Sequence, residues 1–500
     1  MSLTTLSAAL VLESPALKPT CSRMSIGFDQ GLITSVQRLK DDENAEPFLV
    51  IPALTNAHDH GRSLKSSTIG AFQRPLESWL PMMGLLPRVD PYLVAANAFI
   101  RALKGGVTAL MVHYTRVQGG VPFVDEVLSV ARAAKDVGIQ IGFAVAVRDQ
   151  HGLAYASDQE VSAYMSPHIA DSVLRRLSAP MVDPQAYVQS VQDLKSALKE
   201  SGLDDVMTLQ MGPNGVQWCS RDLLEAIANE SSLGDYPVHM HLLETRYQRA
   251  WADREFPQGV VNYLDELGLL SPRLTLAHCT WAREQELELL AKKGVTIAVN
   301  ASSNLHLRSG IAPVGQMMKL GCHVAMGLDG LGLDEDDDAM REMRLNALLH
   351  SGWGFEEQVS MAKWWSFASQ NGRKSVLGAS KDLRAPSGLI REGHAADLIC
   401  LDISALDEEG GVVPNVDWWG KLMSRAHKGL IQRVYARGKR VLDKGLVTGL
   451  DEVAMKKEFL ASYRKAISID PDWPSWQEDL NQFHQAALSF YGQTHWLGCV

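Results

Sequence analysis

The sequence predicts a (β/α)8 barrel joined to a small β domain, with a doubly wound α/β sheet as the rival architecture. Three observations lead there. Apolar runs of strand length alternate with helix-like stretches from about residue 50 to 355. The segments on either side read as short strands broken by tight Gly turns. Residues that can bind a metal interrupt several of the apolar runs near their C-terminal ends, which is where barrel active sites lie.

The runs are, in order, "LVIPALTNAH", "GGVTALMVHY", "GIQIGFAVAV", "VMTLQMGP", "YPVHMHLLE", "RLTLAHC", "GVTIAVNAS" and "HVAMGLDG". Near-continuous apolar strands are expected where both faces of a parallel sheet are covered. Between them lie amphipathic stretches such as "REQELELLAKKG", closed by a glycine in the helix-stop position. The N-terminal "SIGFDQGLITSV" and the later "SGLIREGHAADLICLDIS" and "LIQRVYARGKRVLDKG" have the strand pattern without helices. The expected division is therefore a composite small β domain from residues 1–52 and 385–450, a barrel over 53–384, and a helical extension over 451–500. A break at Pro471 and Pro474 divides the extension, which would either cap the barrel or mediate oligomer contacts.

Composition sets limits on function. With 500 residues, 46% hydrophobic and 21% charged, the chain is an ordinary globular one, long enough for a large core. The formal net charge of −10 comes without any Lys/Arg block, which argues against nucleic acid or an anionic membrane as partner. Six scattered cysteines form no C-x-x-C pair, so neither a disulfide framework nor a Cys-zinc site is expected, and a reducing cytoplasm fits. The start "MSLTTLSAALVLESP" lacks the basic and apolar regions of a signal peptide. No run approaches the ~20 apolar residues of a membrane span.

The chemistry concentrates in four strand ends. His58 and His60 follow the first run with one residue between them, so on a strand they share a face and can converge on one ion, while Asp59 points away. Among 15 histidines a single H-x-H pair is weak, since a buried strand can hold satisfied imidazoles. The pattern recurs at the fifth run with His239, His241 and Glu244, then at the sixth with His278 and the eighth with Asp329. Four metal-competent strand ends in a barrel register read jointly as a metal site. His239 lies a layer deeper and reads as a packing or supporting histidine.

These stretches carry a family resemblance. "PALTNAHDHG", "HMHLLET", "LAHCTW", "NASSNLHLRSGIAPV", "MGLDGLGLDEDDDAMREMRLNALL" and "SGLIREGHAADLICLD" span roughly residues 49–402. Together they resemble the amidohydrolase superfamily, in its cytosine-deaminase-like branch with guanine and S-adenosylhomocysteine deaminases and triazine hydrolases. The resemblance implies a metal-dependent hydrolase barrel with a small β-sandwich domain, and a homodimer. It implies His58, His60, His241 and Asp329 as metal ligands, with Glu244 and His278 as acid–base and carbonyl-orienting residues and Asp329 also catalytic. Val299 stands where relatives usually carry His, Ala301 where they carry Pro, Ala53 in place of Gly, and Asp334 and Glu335 in place of an Asn pair. The fourth run "LQMGPNG" offers no lysine for a carbamylated two-metal bridge, so one divalent ion is expected, zinc with iron as the alternative.

The expected activity is conversion of an amino-substituted nitrogen heterocycle to its oxo product with release of ammonia. A triazine-type chlorohydrolase or N-dealkylase, or a cyclic amide hydrolase, is the nearest enzymatic rival. A non-catalytic barrel scaffold is the reading from a different class. For the small-molecule substrate, the candidates are Trp79 in "LESWLP", His113 in "MVHY", and Asn214 and Trp218 in "GPNGVQW". Each also has a packing explanation. The acidic run Asp334–Asp338 reads as a helix N-terminal cluster, or as a contact for a cationic substrate group.

Overall fold

Parallel pairing in unbroken chain order dominates the computed structural model, which describes residues 4–13, 21–153, 155–177, 181–330, 335–378, 386–410, 412–413, 416–493 and 496. Eight strands, Leu54–Asn56, Val107–His113, Gln140–Val147, Met207–Pro213, Val238–Leu242, Leu274–His278, Thr296–Val299 and His323–Met326, form one sheet in which sequence neighbours are sheet neighbours. The Ala57 amide donates to the Met326 carbonyl at 2.8 Å, joining the ends of the first and eighth strands. That closure distinguishes a barrel from an open doubly wound sheet. Inside, small side chains make room: Ala57, Ala298 and Ala325 pack together at full burial. The helix Gly372–Leu377 plugs one end, where Gln210 donates to the Ser375 and Val376 carbonyls, each at 2.9 Å.

The crossover helices begin and end as their sequences dictate. Asp90 and Asp183 cap Pro91–Lys104 and Pro184–Glu200, each with proline in the first turn where no amide is needed. Phe123–Val137 stops at Gly138, whose φ of 89° few other residues adopt.

A second eight-stranded sheet combines both flanks of the chain. Thr4–Leu12, Cys21–Asp29, Leu32–Arg38 and Glu46–Pro52 join Leu398–Asp402, Ile431–Ala436, Lys439–Asp443 and Leu446–Val447. The Cys21–Asp29 and Ile431–Ala436 strands stand four places apart in the sheet order. Laid flat, that is roughly 19 Å. The Phe28 and Tyr435 rings they carry are nevertheless 5.4 Å apart. The sheet therefore folds over on itself, around a separate apolar cluster that includes Leu6, Ile26, Val50 and Leu398.

The first apolar run of the sequence proves to serve both sheets. Glu46–Pro52 pairs with Leu398–Asp402, and the barrel begins two residues later at Leu54. Pro52 ends the first ladder, and the Leu54 amide turns to the Gly106 carbonyl at 3.0 Å.

The C-terminal helices, Glu452–Ile469 and Trp473–Tyr491, break where the prolines predict. The second lies over the loops at the barrel mouth: Trp473 Nε1 donates to the Leu85 carbonyl at 2.9 Å, and the Tyr155 amide donates to the Tyr491 hydroxyl at 3.3 Å. Among the described residues no helix is long and apolar enough to cross a membrane. The five described cysteines are free, and Cys499 lies outside the described residues.

Candidate metal centre and active site

Each first-strand histidine is oriented from behind. The strand itself stops at Asn56, so His58 and His60 sit on the turn beyond it rather than within the pleat. Asn56 shapes that turn: its Oδ1 accepts from the His58 amide at 3.3 Å and from the Leu328 amide at 2.9 Å. Asp59 faces away from the ring cluster, accepting from Asn56 Nδ2 at 2.8 Å and the Gly61 amide at 2.9 Å. Gly327 permits the approach of the eighth strand, since a Cβ there would lie 2.9 Å from the His58 Cβ and 2.1 Å from Asn300 Oδ1.

Hydrogen bonds at Nδ1 determine what the Nε2 atoms can do. His60 Nδ1 donates to the His113 carbonyl at 2.8 Å, and His241 Nδ1 donates to the Asn214 carbonyl at 2.7 Å. A proton on Nδ1 leaves Nε2 as a bare lone pair. His58 Nδ1 meets His239 Nε2 at 2.8 Å, and His278 Nδ1 meets Asn304 Oδ1 at 2.9 Å. Ser303 donates to Asp329 Oδ2 at 2.6 Å, leaving Oδ1 free to face the rings.

The free atoms converge. Ligand atoms of His58, His60 and His241 lie within 4.8 Å of one another, as do those of His58, His278 and Asp329. His60 Nε2 is 3.1 Å and His58 Nε2 3.5 Å from Asp329 Oδ1. Although buried, His58 Nε2, His278 Nε2 and Asp329 Oδ1 have no hydrogen-bond partner. Orphaned polar atoms cost roughly 1–3 kcal/mol each when left unsatisfied in a core. The two overlapping groups share His58 and form one constellation, with nitrogen and carboxylate donors suited to a divalent ion. Burial holds the imidazoles neutral, as ligation requires: the His60 pKa falls to about 3, that of His278 to about 4, and that of His241 well below the usual value.

Two of these residues bear backbone strain. His278 has φ of 77° and Asp329 φ of 58°, in the left-handed region that side chains beyond glycine rarely occupy. Such conformations cost of order 1–3 kcal/mol and cluster at functional sites.

A cavity of about 490 Å³ opens from this centre, with His60, His241, Glu244, His278 and Asp329 on its wall. Glu244 Oε2 is 3.6 Å from His278 Nε2, and its other oxygen is unpartnered. Burial pushes the Glu244 carboxyl well above its usual pKa, and the nearby Asp329 and Glu77 charges reinforce the shift.

Of the expected substrate contacts, Trp79, Asn214 and Trp218 line the cavity. The Trp218 indole N–H is buried without a partner, while the Asn214 carbonyl also orients His241. His113 does not reach the cavity wall. Its ring is fully buried beneath the centre, stacked on His241 at 4.8 Å with Nε2 3.2 Å from the Gly212 carbonyl, so it supports the His241 ring from below. His239 likewise backs His58.

The acidic run is consumed by the fold. Asp338 caps the helix Ala339–His350, Asp337 pairs with Arg101 at 2.5 Å, Asp336 pairs with Lys428 at 2.7 Å, and Glu335 accepts from Ser66 Oγ at 2.7 Å. None of these four lines the cavity, so the cationic-substrate contact is not found, and Asp334 lies outside the described residues. Sequence reasoning missed Ser303, Asn304 and Arg62. The first two sit in the quoted "NASSNLH", where small polar residues opening a helix are an available signal.

What the closed barrel and its converging donors define is a candidate metal-binding site at the C-terminal strand ends, open to a cavity. The chain belongs to the amidohydrolase family, whose model matches residues 49–441. A 5'-deoxyadenosine deaminase of Methanopyrus kandleri is 27% identical over 417 residues, covering 82% of this chain and 85% of that protein. Among solved structures, an adenosine deaminase from Xanthomonas campestris with bound zinc is 21% identical, with a TM-score of 0.71 over 93% of this chain and 98% of that one. An atrazine chlorohydrolase from Arthrobacter aurescens, complexed with zinc, is 18% identical with a TM-score of 0.69, covering 92% and 99% of the two chains. Both structural likenesses establish the shared fold.

Proposed function

We propose that this protein is a mononuclear metal-dependent aminohydrolase that converts a cyclic N=C–NH2 group to a lactam with release of ammonia. The observation that carries the reading is the Glu244–His278 pair, 3.6 Å apart, beside the converging ligand atoms and open to the cavity. The deaminase names of relatives such as the Methanopyrus kandleri protein support the same class.

His58, His60, His241 and Asp329 would hold the ion, and zinc suits that donor set. Bound there, a divalent ion supplies the Lewis acidity that makes a hydrolytic water acidic near neutral pH. Asp329 Oδ1 accepts a proton of that water, and Ser303 keeps the carboxylate turned toward it. Glu244 delivers its proton to the ring nitrogen of the substrate. It then takes up the proton of the newly added hydroxyl, hands it to the departing amine as the C–N bond breaks, and regains its own from Asp329, so that water adds oxygen and ammonia leaves. His278, with Nδ1 on Asn304, presents Nε2 to the attacked centre and orients the developing oxygen. Trp79 and Trp218 give the cavity flat apolar walls for a heterocycle, and the C-terminal helix, through Trp476, narrows the entrance.

Ammonia release from a panel of aminopurines, pterins, aminopyrimidines and aminotriazines, with the metal-loaded protein, tests the proposal. Turnover of at least one amino-heterocycle with stoichiometric ammonia is expected. Chloride or alkylamine release from triazines without ammonia would replace this reading with the triazine-hydrolase one.

A further inference from the structure

Three arginines on the loops after the first and second barrel strands face the cavity: Arg62, Arg88 and Arg116. The chain carries a net charge of −10, yet among the described residues neither Arg88 nor Arg116 has a carboxylate partner. Arg62 is only 14% exposed; Asp329 lies 4.0 Å away but is already directed at the histidines, and Asp59 and Glu244 also act on its charge. Its guanidinium lies instead over the Trp79 ring, 4.8 Å from the centre. Arg116 is held by neutral groups, donating to the Met83 carbonyl at 3.0 Å and to the Leu86 carbonyl. Arg88, exposed at the rim, makes no ion pair or side-chain hydrogen bond among the described residues.

Carbonyls and an aromatic face orient a guanidinium without neutralising it. Burial lowers the Arg116 pKa, and the like charges of Arg88 and Arg62, on the same cavity wall, add to that. A purely structural role accounts for Arg116, which fastens the 83–86 turn, but not for Arg88, which fastens nothing. Four carboxylates share the cavity wall: Glu244 and Asp329 belong to the reaction centre, and the other two accept hydrogen bonds from the fold. Glu77 accepts from the Thr245 hydroxyl at 2.7 Å and is pushed by burial to about 7, while Asp470 accepts from the Asp472 amide at 3.0 Å. The missing counter-charge is therefore left for a ligand to supply.

We propose that Arg88 and Arg116, with Arg62 on the side of the metal centre, form an anion subsite that binds a carboxylate or phosphate carried by the substrate. The proposal rests on the heterocycle aminohydrolase reading and narrows it: the substrate is an anionic heterocycle. Arg88 at the rim also draws the anion toward the entrance, an effect that salt weakens.

The test uses matched pairs with the metal-loaded, full-length protein. Pterin and pterin-6-carboxylate form the carboxylate arm, and adenosine and adenosine 5'-monophosphate the phosphate arm, with Kd measured by fluorescence and calorimetry. In at least one pair the anionic member is expected to bind about tenfold or more tightly than the neutral one. Arg88→Ala should bring that ratio toward one, Arg88→Glu should invert it, and Arg88→Lys should restore most of it, which separates charge from folding. Equal binding within both pairs, or a ratio indifferent to Arg88→Glu, overturns the subsite. Ammonia release is scored separately: an Arg88-dependent preference without ammonia defeats the aminohydrolase reading alone, and ammonia from neutral members without a preference defeats the subsite alone.

Discussion

His60 and His241 face each other through Nε2 atoms 3.4 Å apart, and both have committed their Nδ1 protons to backbone carbonyls. Two bare lone pairs at that distance repel unless a cation lies between them. Stripping the metal with a chelator should therefore lower the thermal unfolding midpoint, and zinc should restore it. Ligand at ~1,000 times its Kd adds about 4 kcal/mol. Elemental analysis should find about one ion per chain. Two per chain would refute the mononuclear reading, and an unmoved midpoint would remove the ion from the fold's stability.

Glu244 is not among the four residues proposed to hold the ion, and its Oε2 lies 3.6 Å from His278 Nε2. Glu244→Gln should keep the metal content and melting behaviour while lowering kcat by about 10²–10⁴-fold, the usual worth of a positioned acid–base group. Retained turnover would take the proton-transfer role away from it.

Among the described residues the Ser303 hydroxyl bonds Asp329, through the 2.6 Å contact to Oδ2. Removing such a supporting hydrogen bond typically weakens metal affinity by about 10–100-fold. Ser303→Ala should show that loss in a competition titration, with Ser303→Thr regaining part of it. An alanine variant that holds metal as tightly as the parent would show that Asp329 orients itself.

Glu342 offers a pH prediction away from the ligands. It is buried under the helix Ala301–His306, accepts from the Ser302 amide at 3.1 Å, and burial raises its pKa from 4.5 to about 7. The folded state thus keeps a proton that the unfolded chain releases above pH 4.5. The sign follows: this group's contribution is fully present below the unfolded value and is lost as pH rises through the folded one, by up to about 3 kcal/mol. Unfolding free energies of the parent and Glu342→Gln, measured at pH 5 and pH 8, should show the parent losing more stability across that interval. Parallel losses would mean that Glu342 ionises normally in the fold.

Much of this protein was legible along the chain. Strand length, aliphatic content and Gly stops are local properties, so "GIQIGFAVAV" or "RLTLAHC" announces a buried strand without reference to anything distant. His58, His60, His241, His278 and Asp329 could be picked out because each interrupts such a run, and a barrel maps run ends to one face. Periodicity misjudged the first histidines only slightly: the strand ends at Asn56, and its side chain joins backbone bonds from the eighth strand in shaping the turn that follows.

Other features were decided only when distant segments met. Asp329 reaches His58 because the first and eighth strands close, which no local pattern encodes. The acidic run met Arg101, Lys428, Ser66 and two helix amides rather than a ligand, since a carboxylate takes the nearest donors the fold presents. His113 became a support because the barrel stacks it beneath His241, whereas Trp218 kept its N–H free beside the cavity. The sequence by itself determined the strands and the kinds of donor at their tips. The tertiary structure decided which donors remain unpaired and what they face, because satisfaction of a buried polar atom depends on partners hundreds of residues away.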